Sequence, residues 1–278
     1  MNFSNPNADI LSDIKIGIVG CGHLGQAMLE VLISHGFIKE NIYISYNGNP
    51  FTFEKLEKLG ATICLSENEK IFNEADIIFL TVRPQDVKKL QGISIPKNTM
   101  VVSCLAGVSV ELLKNIFSTN NTKIFRMMVS GPDTIVLEKG IATVYPYHEL
   151  VSCTLKKMSL HIFEVLNESD IDIFTTGVCL PAALLFADNE LAINEAVNEI
   201  GEDYANFLDI YEWAKGVLPS FNTESEKIEY ISKMITKGGI TEAIINSLKS
   251  GETFITALRK GISRSQDISR EISHSILN

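Results

Sequence analysis

Apolar and β-branched residues gather in short runs along the first half of the chain, each bounded by glycine or by polar residues. Residues 14–19 form one such run, ending at Gly20, and predict a buried strand. The same pattern predicts strands over 41–45, 63–65, 77–82, 100–105, 124–129 and 141–145. Between them the spacing turns helical over 26–35, 54–60 and 110–117, and Gly36 closes the first of these. Short apolar strands alternating with helices predict a doubly wound, mostly parallel sheet with both faces covered. The alternation stops near Tyr147. Beyond it the pattern is helical, with one long apolar stretch over 181–200 and Phe254, Leu258 and Ile262 falling four apart on one face. The predicted fold class is therefore an α/β N-terminal domain followed by an all-α C-terminal domain. The expected divisions are a lead over 1–13, a first domain over 14–168 and a helical domain over 169–278.

Composition narrows the class. At 278 residues, with 45% hydrophobic and 21% charged residues, the chain can bury a sizeable core. Its net charge of −10 repels a phosphate backbone, so no nucleic-acid partner is expected. No apolar run reaches the roughly 18 residues of a membrane span, and residues 1–13 carry no apolar signal segment, so no membrane partner is expected. Cys21, Cys64, Cys104, Cys153 and Cys179 are scattered and form no C-x-x-C pair, which argues against a disulfide framework or zinc site and fits a reducing cytoplasm. The histidines stand singly, without metal-ligand spacing, and no metal is expected.

The first predicted strand runs into Gly20-Cys21-Gly22-His23-Leu24-Gly25, and a helix follows at once. In that context the first glycine permits a tight turn, the second lets backbone approach a pyrophosphate, and the third lets helix and strand pack closely. The helix N-terminus then offers unpaired N–H groups to the phosphates. This is the dinucleotide fingerprint of a Rossmann-type domain; the competing reading is a glycine turn without a ligand. The second strand ends in Ser45-Tyr46-Asn47-Gly48-Asn49, with no acid to bind a ribose 2′-hydroxyl. That favours NADP, with NAD possible, because no Arg or Lys sits there either; the nearest is Lys55. His23 is read as shaping the loop rather than moving protons.

Several segments together resemble the pyrroline-5-carboxylate reductase family. Residues 75–87, ending Val82-Arg83-Pro84-Gln85-Asp86-Val87, resemble its strand ending in Val-Lys-Pro, and residues 101–109 resemble its strand and turn facing the nicotinamide. Ile235-Thr236-Lys237-Gly238-Gly239-Ile240-Thr241-Glu242-Ala243 is similar to its signature around G-G-x-T. The resemblance spans about residues 14–265. It implies hydride transfer from NAD(P)H to the C=N carbon of a small cyclic imino acid, 1-pyrroline-5-carboxylate, giving L-proline. It implies that Val82, Arg83, Pro84, Ala106 and Gly107 line the cofactor, beside Gly20, Gly22, His23, Leu24, Gly25 and Asn47. It implies that Gly238, Gly239 and Thr241 hold the substrate carboxylate, and that the helical domain forms a homodimer or larger homo-oligomer. A Gly-Gly turn opening a helix can itself make an anion site from backbone N–H groups; the plainer role for Thr241 is to cap a helix beginning at Glu242. No proton donor stands out, since a protonated imine is already electrophilic.

The chain departs from the family pattern at Arg83, where lysine is usual, and at Met127-Met128-Val129-Ser130-Gly131-Pro132, which lacks a proline and an asparagine. It departs again at Gly177-Val178-Cys179-Leu180-Pro181-Ala182, where Ser-Gly-Ser-Gly-Pro-Ala is usual, and at Lys237, which replaces a proline. Two alternatives stay open. One is a paralogue that binds NAD(P) without forming proline. The other is a β-hydroxyacid-dehydrogenase-like oxidoreductase, although residues 182–200 contain no lysine to serve as its acid/base.

Overall fold

The computed structural model describes residues 11, 13–118 and 123–277. Apart from residues 11 and 13, the expected lead over 1–13 lies outside them. The chain divides into two compact units, Met1–Val165 with Ile272–Asn278, and Leu166–Glu271.

The first unit is built on strands β1 (Ile16–Val19), β2 (Ile42–Ser45), β3 (Ile77–Leu80), β4 (Met100–Ser103), β5 (Lys123–Val129), β6 (Ile141–Tyr145) and β7 (His161–Phe163). Among the described residues they form one seven-stranded sheet in the order β2-β1-β3-β4-β5-β6-β7. Pairing is parallel from β2 through β5, with Ile16 between Ile42 and Ile77. It is antiparallel between β5 and β6 and parallel again to β7. Period-two alternation puts Ile16, Ile18, Ile77, Phe79 and Val102 into one buried cluster and Val19, Ile78, Leu80 and Val101 into the other. Helices cover both faces: α1 (His23–Ser34) buries Ala27, Met28, Leu29, Val31 and Leu32 on one, and α3 (Asn68–Glu74) buries Ile71 and Phe72 on the other. Helix α2 (Pro50–Lys58) lies between β2 and α3 in the chain, with the Asn49 side chain accepting from the N–H groups of Phe51 and Thr52. The sheet is doubly wound and mostly parallel, as the alternation predicts. Because β1 leads to β2 on one side and has β3 on the other, the order reverses at β1, and the crevice beyond the strand ends there is where such sheets bind ligands.

The remaining helices of this unit are α4 (Val110–Ile116), α5 (Pro132–Val136) and α6 (Glu149–Lys157). The second unit contains α7 (Asp170–Val178), α8 (Leu180–Phe186), α9 (Glu190–Asp203), α10 (Phe207–Gly216), α11 (Glu224–Met234), α12 (Ile240–Lys249) and most of α13 (Phe254–Leu277). Ala182, Ile231 and Ile245 form one of its buried clusters.

Three elements differ from the sequence expectation. Residues 63–65 are not a strand: Thr62–Cys64 is a 3-10 turn with Ile63 67% exposed, and only Leu65 reaches the sheet edge, as a lone bridge to Ile44. The strand over 141–145 is not the last, since β7 adds to β6, held by the Thr143 hydroxyl donating to the Phe163 carbonyl at 2.7 Å. The apolar stretch over 181–200 is two helices rather than one, because the chain extends at Ala187 and Asn189 starts a new helix by accepting from the Ala192 N–H. The last turns of α13 also return to the first unit, where Ile276 is buried beside Ile116 and Phe117.

Candidate functional site

The turn after β1 is pinned on every side. The Gly20 and Cys21 N–H groups donate to the Ser45 carbonyl at 3.2 and 2.7 Å, tying the turn to the end of β2. Thr81, just past β3, donates its hydroxyl to the Gly20 carbonyl at 2.7 Å. Gly20 takes φ +97°, a conformation L side chains rarely adopt. A Cβ at Gly25 would stand 2.7 Å from the Gly20 carbonyl oxygen, so only glycine lets α1 begin this close to the strand. A Cβ at Gly22, in contrast, meets nothing within 4 Å and faces open space. Helix α1 has Gly22 as its N-cap and no side-chain cap. The N–H groups of His23, Leu24 and Gly25 therefore have no intrahelical acceptor and open toward an anion. These features fit a dinucleotide's pyrophosphate.

A cavity of about 610 Å³ lies over this turn, lined by Gly20, Gly22, His23, Gln26, Asn47, Thr81, Val82 and Arg83 among others. A second cavity, also about 610 Å³, adjoins it and carries Ile44, Leu65 and Leu90 on its walls. The structure thus brings Gly20, Gly22, His23, Asn47, Val82 and Arg83 together at one groove. Leu24, Gly25, Pro84, Ala106 and Gly107 line neither cavity. Pro84 opens the 3-10 turn Pro84–Leu90 after β3, and Ala106 and Gly107 follow the end of neighbouring β4. Cys21 is 2% exposed and burial pushes its thiol up to about 12, so it carries no nucleophile into the groove.

In the second unit, Gly238 takes φ +72° and Gly239 is the N-cap of α12. Both of their N–H groups are already engaged: Gly238 donates to the Glu242 carboxylate at 2.7 Å and Gly239 to the Thr236 carbonyl at 2.8 Å. Arg264 holds the other side of the same residue, its Nε donating to the Gly238 carbonyl at 2.7 Å while its guanidinium grips both Glu271 oxygens at 2.7 and 3.2 Å. The N–H groups that α12 leaves without an intrahelical acceptor are those of Ile240, Thr241 and Glu242, one step beyond the two glycines. Thr241 is not the cap. The helix starts at Ile240, so Thr241 sits in its first turn, 9% exposed. The Cys179 thiol donates to the Thr175 carbonyl at 3.4 Å; burial pushes it up to about 11, with the Thr241 hydroxyl pulling the other way.

Residues 15–107 match the family described as NADP oxidoreductase, coenzyme F420-dependent. Over 283 residues the chain is 25% identical to pyrroline-5-carboxylate reductase 2 of Bacillus subtilis, covering 95% of this chain and 98% of that relative. Along nearly its whole length the chain is similar to pyrroline-5-carboxylate reductases. Solved structures agree on the fold. A pyrroline-5-carboxylate reductase from Coxiella burnetii superposes with TM-score 0.56 at 21% identity, covering 92% of this chain and 99% of that one. A Plasmodium falciparum pyrroline carboxylate reductase with NADP bound gives TM-score 0.56 at 18% identity, covering 93% and 99%. Both comparisons point to an oxidoreductase.

Four residues that brace these two turns were not singled out by sequence. Gln26, buried, donates to the Cys21 carbonyl and to the Thr52 hydroxyl, both at 3.2 Å, bracing the phosphate turn from below. Thr81 braces it from β3. Arg264 and Glu242 fix the Gly238 residue. Only Glu242 had a local signal, an acid in the first turn after a Gly-Gly pair.

Proposed function

We propose that this chain reduces the C=N bond of a cyclic imino acid, 1-pyrroline-5-carboxylate, to form L-proline with NADPH as the hydride donor, NADH being the alternative donor. The observation that carries the reading is the open phosphate turn at Gly22, set in a groove at the sheet's switch point in a chain that matches this family along almost its whole length. The absence of an acid in Ser45-Tyr46-Asn47 and the NADP held by the Plasmodium neighbour support NADPH.

When bound, the nicotinamide cofactor supplies the hydride. The chain's own part is to bind and to orient. The first N–H groups of α1 would hold the pyrophosphate, and Val82, Arg83, Pro84, Ala106 and Gly107 are the residues that would hold the ribose and nicotinamide. Gly238, Gly239 and Thr241 form the turn that receives the carboxylate, through the N–H groups α12 leaves open. Positioning of donor and acceptor carbons lowers the barrier, and the positive charge of a protonated imine makes a strong general acid unnecessary. We assign no residue a proton-transfer role.

One observation favours a second reading. Glu242 already occupies the Gly238 N–H, so the carboxylate cradle is partly filled from within. That arrangement suits a paralogue that binds NAD(P) with altered or lost imine reduction. Purified protein with NADPH and 1-pyrroline-5-carboxylate decides between them. Absorbance at the reduced-nicotinamide band falls under the first reading and stays level under the second.

We further propose a cytoplasmic homodimer associating through the helical unit, where Leu191 is 70% exposed and Ile228 60%. Sedimentation at twice the 30.8 kDa chain mass is the expected result. Among the described residues no helix is long and apolar enough to cross a membrane.

A further inference from the structure

The two cavities at the ends of β1, β2 and β3 share a rim of Gly20, Tyr46, Asn47, Val82 and Asp86. One lies over the phosphate turn. The other has apolar walls, Ile44, Leu65 and Leu90, with the polar Ser66 and Asn68 beside them. The Oδ1 atom of Asn68 is buried without a hydrogen-bond partner, an acceptor suited to the exocyclic amine of a base. A dinucleotide with its pyrophosphate on the first cavity and its base in the second places the adenosine ribose on the shared rim.

Of the five rim residues, Asp86 alone carries a charge at neutral pH. It sits on the 3-10 turn Pro84–Leu90, and Lys89 from the same turn lies 2.6 Å from its Oδ1 and lines the base cavity. The end of β2, where an acid or a cation ordinarily reads the ribose, offers neither. We propose that the Asp86–Lys89 pair reads the 2′ position of the adenosine ribose and sets the choice between NADPH and NADH. The carboxylate accepts hydrogen bonds from an unphosphorylated ribose and repels a 2′-phosphate, whereas the ammonium attracts the phosphate. Paired, the two charges cancel, so neither cofactor is shut out. The preference follows whichever member is left uncompensated. Lys89 has the freedom to turn to a phosphate, its side chain being 78% exposed against 34% for Asp86.

This inference rests on the dinucleotide reading and not on the imino acid, so its test needs no substrate. The full chain and its variants are titrated separately with NADPH and NADH, following nicotinamide fluorescence. Asp86→Asn frees Lys89 and is expected to raise the preference for NADPH over NADH by roughly fivefold, and Lys89→Gln to lower it by roughly fivefold, the size of an exposed charge pair. The double variant is expected near the wild-type ratio. Lys55→Gln, removing the cation nearest the end of β2 in sequence, is expected to leave the ratio unchanged. If both nucleotides bind and neither single variant moves the ratio, or if Lys55→Gln moves it instead, the assignment is overturned. If the wild-type chain binds neither nucleotide, the dinucleotide reading falls and this proposal falls with it.

Discussion

Gly22 and Gly25 lie three residues apart in one turn and are expected to fail differently when replaced. A side chain at Gly22 meets no protein atom within 4 Å and projects where phosphate should sit. Gly22→Leu should therefore keep its melting temperature and lose NADPH binding; unchanged affinity would remove the phosphate turn from the account. Gly25→Ala drives a methyl group to 2.7 Å from the Gly20 carbonyl, backbone that is fixed by Ser45 and Thr81. It should cost about 1–3 kcal/mol in a denaturant titration and weaken NADPH binding together. Cys21 gives a pH signature. Burial raises its thiol from 9.0 to about 12, so the folded state favours the neutral form. That contribution is complete below pH 9 and is lost as pH climbs toward 12. Cys21→Ala should show a smaller fall in melting temperature between pH 8 and pH 11 than the parent chain. The glycines were legible because their spacing is itself the backbone geometry of the turn. Gln26 and Thr81 were not, because their partners Thr52 and Gly20 lie 26 and 61 residues away.

Helix α12 shows how an element's meaning depends on neighbours that the sequence does not place beside it. Its glycine pair and Thr241 could be read from the chain, but the cap could not. Glu242 reaches back to Gly238, and Arg264 arrives from α13 to hold the carbonyl. Arg264→Ala should loosen this turn and raise the imino-acid KM by about three- to tenfold, with the NADPH KM unchanged and partial rescue by Arg264→Lys. A shift in NADPH KM alone would detach the turn from substrate binding. The strands of the sheet core were legible from their uninterrupted apolar runs, because both faces are buried. The brief β7, with His161 exposed, carried too little pattern to be seen. The break at Ala187 was hidden by apolar residues on both sides of it. Asn189 was the local signal for that break, a side chain that competes for backbone N–H groups and starts a new helix.

The proposed chemistry needs both units, a nucleotide in the groove at the sheet and an acid at the turn that opens α12. The likeness to pyrroline-5-carboxylate reductases runs along almost the whole chain, whereas the proposed imine depends on a turn whose Gly238 N–H Glu242 already occupies. The most direct measurement supplies 1-pyrroline-5-carboxylate and NADPH deuterated at the transferring position, and then weighs the product. The expected product is L-proline carrying a single deuterium on the former imine carbon, formed in step with NADPH consumption. Tight NADPH binding with no labelled proline would contradict the reductase assignment and leave a nucleotide-binding relative in its place.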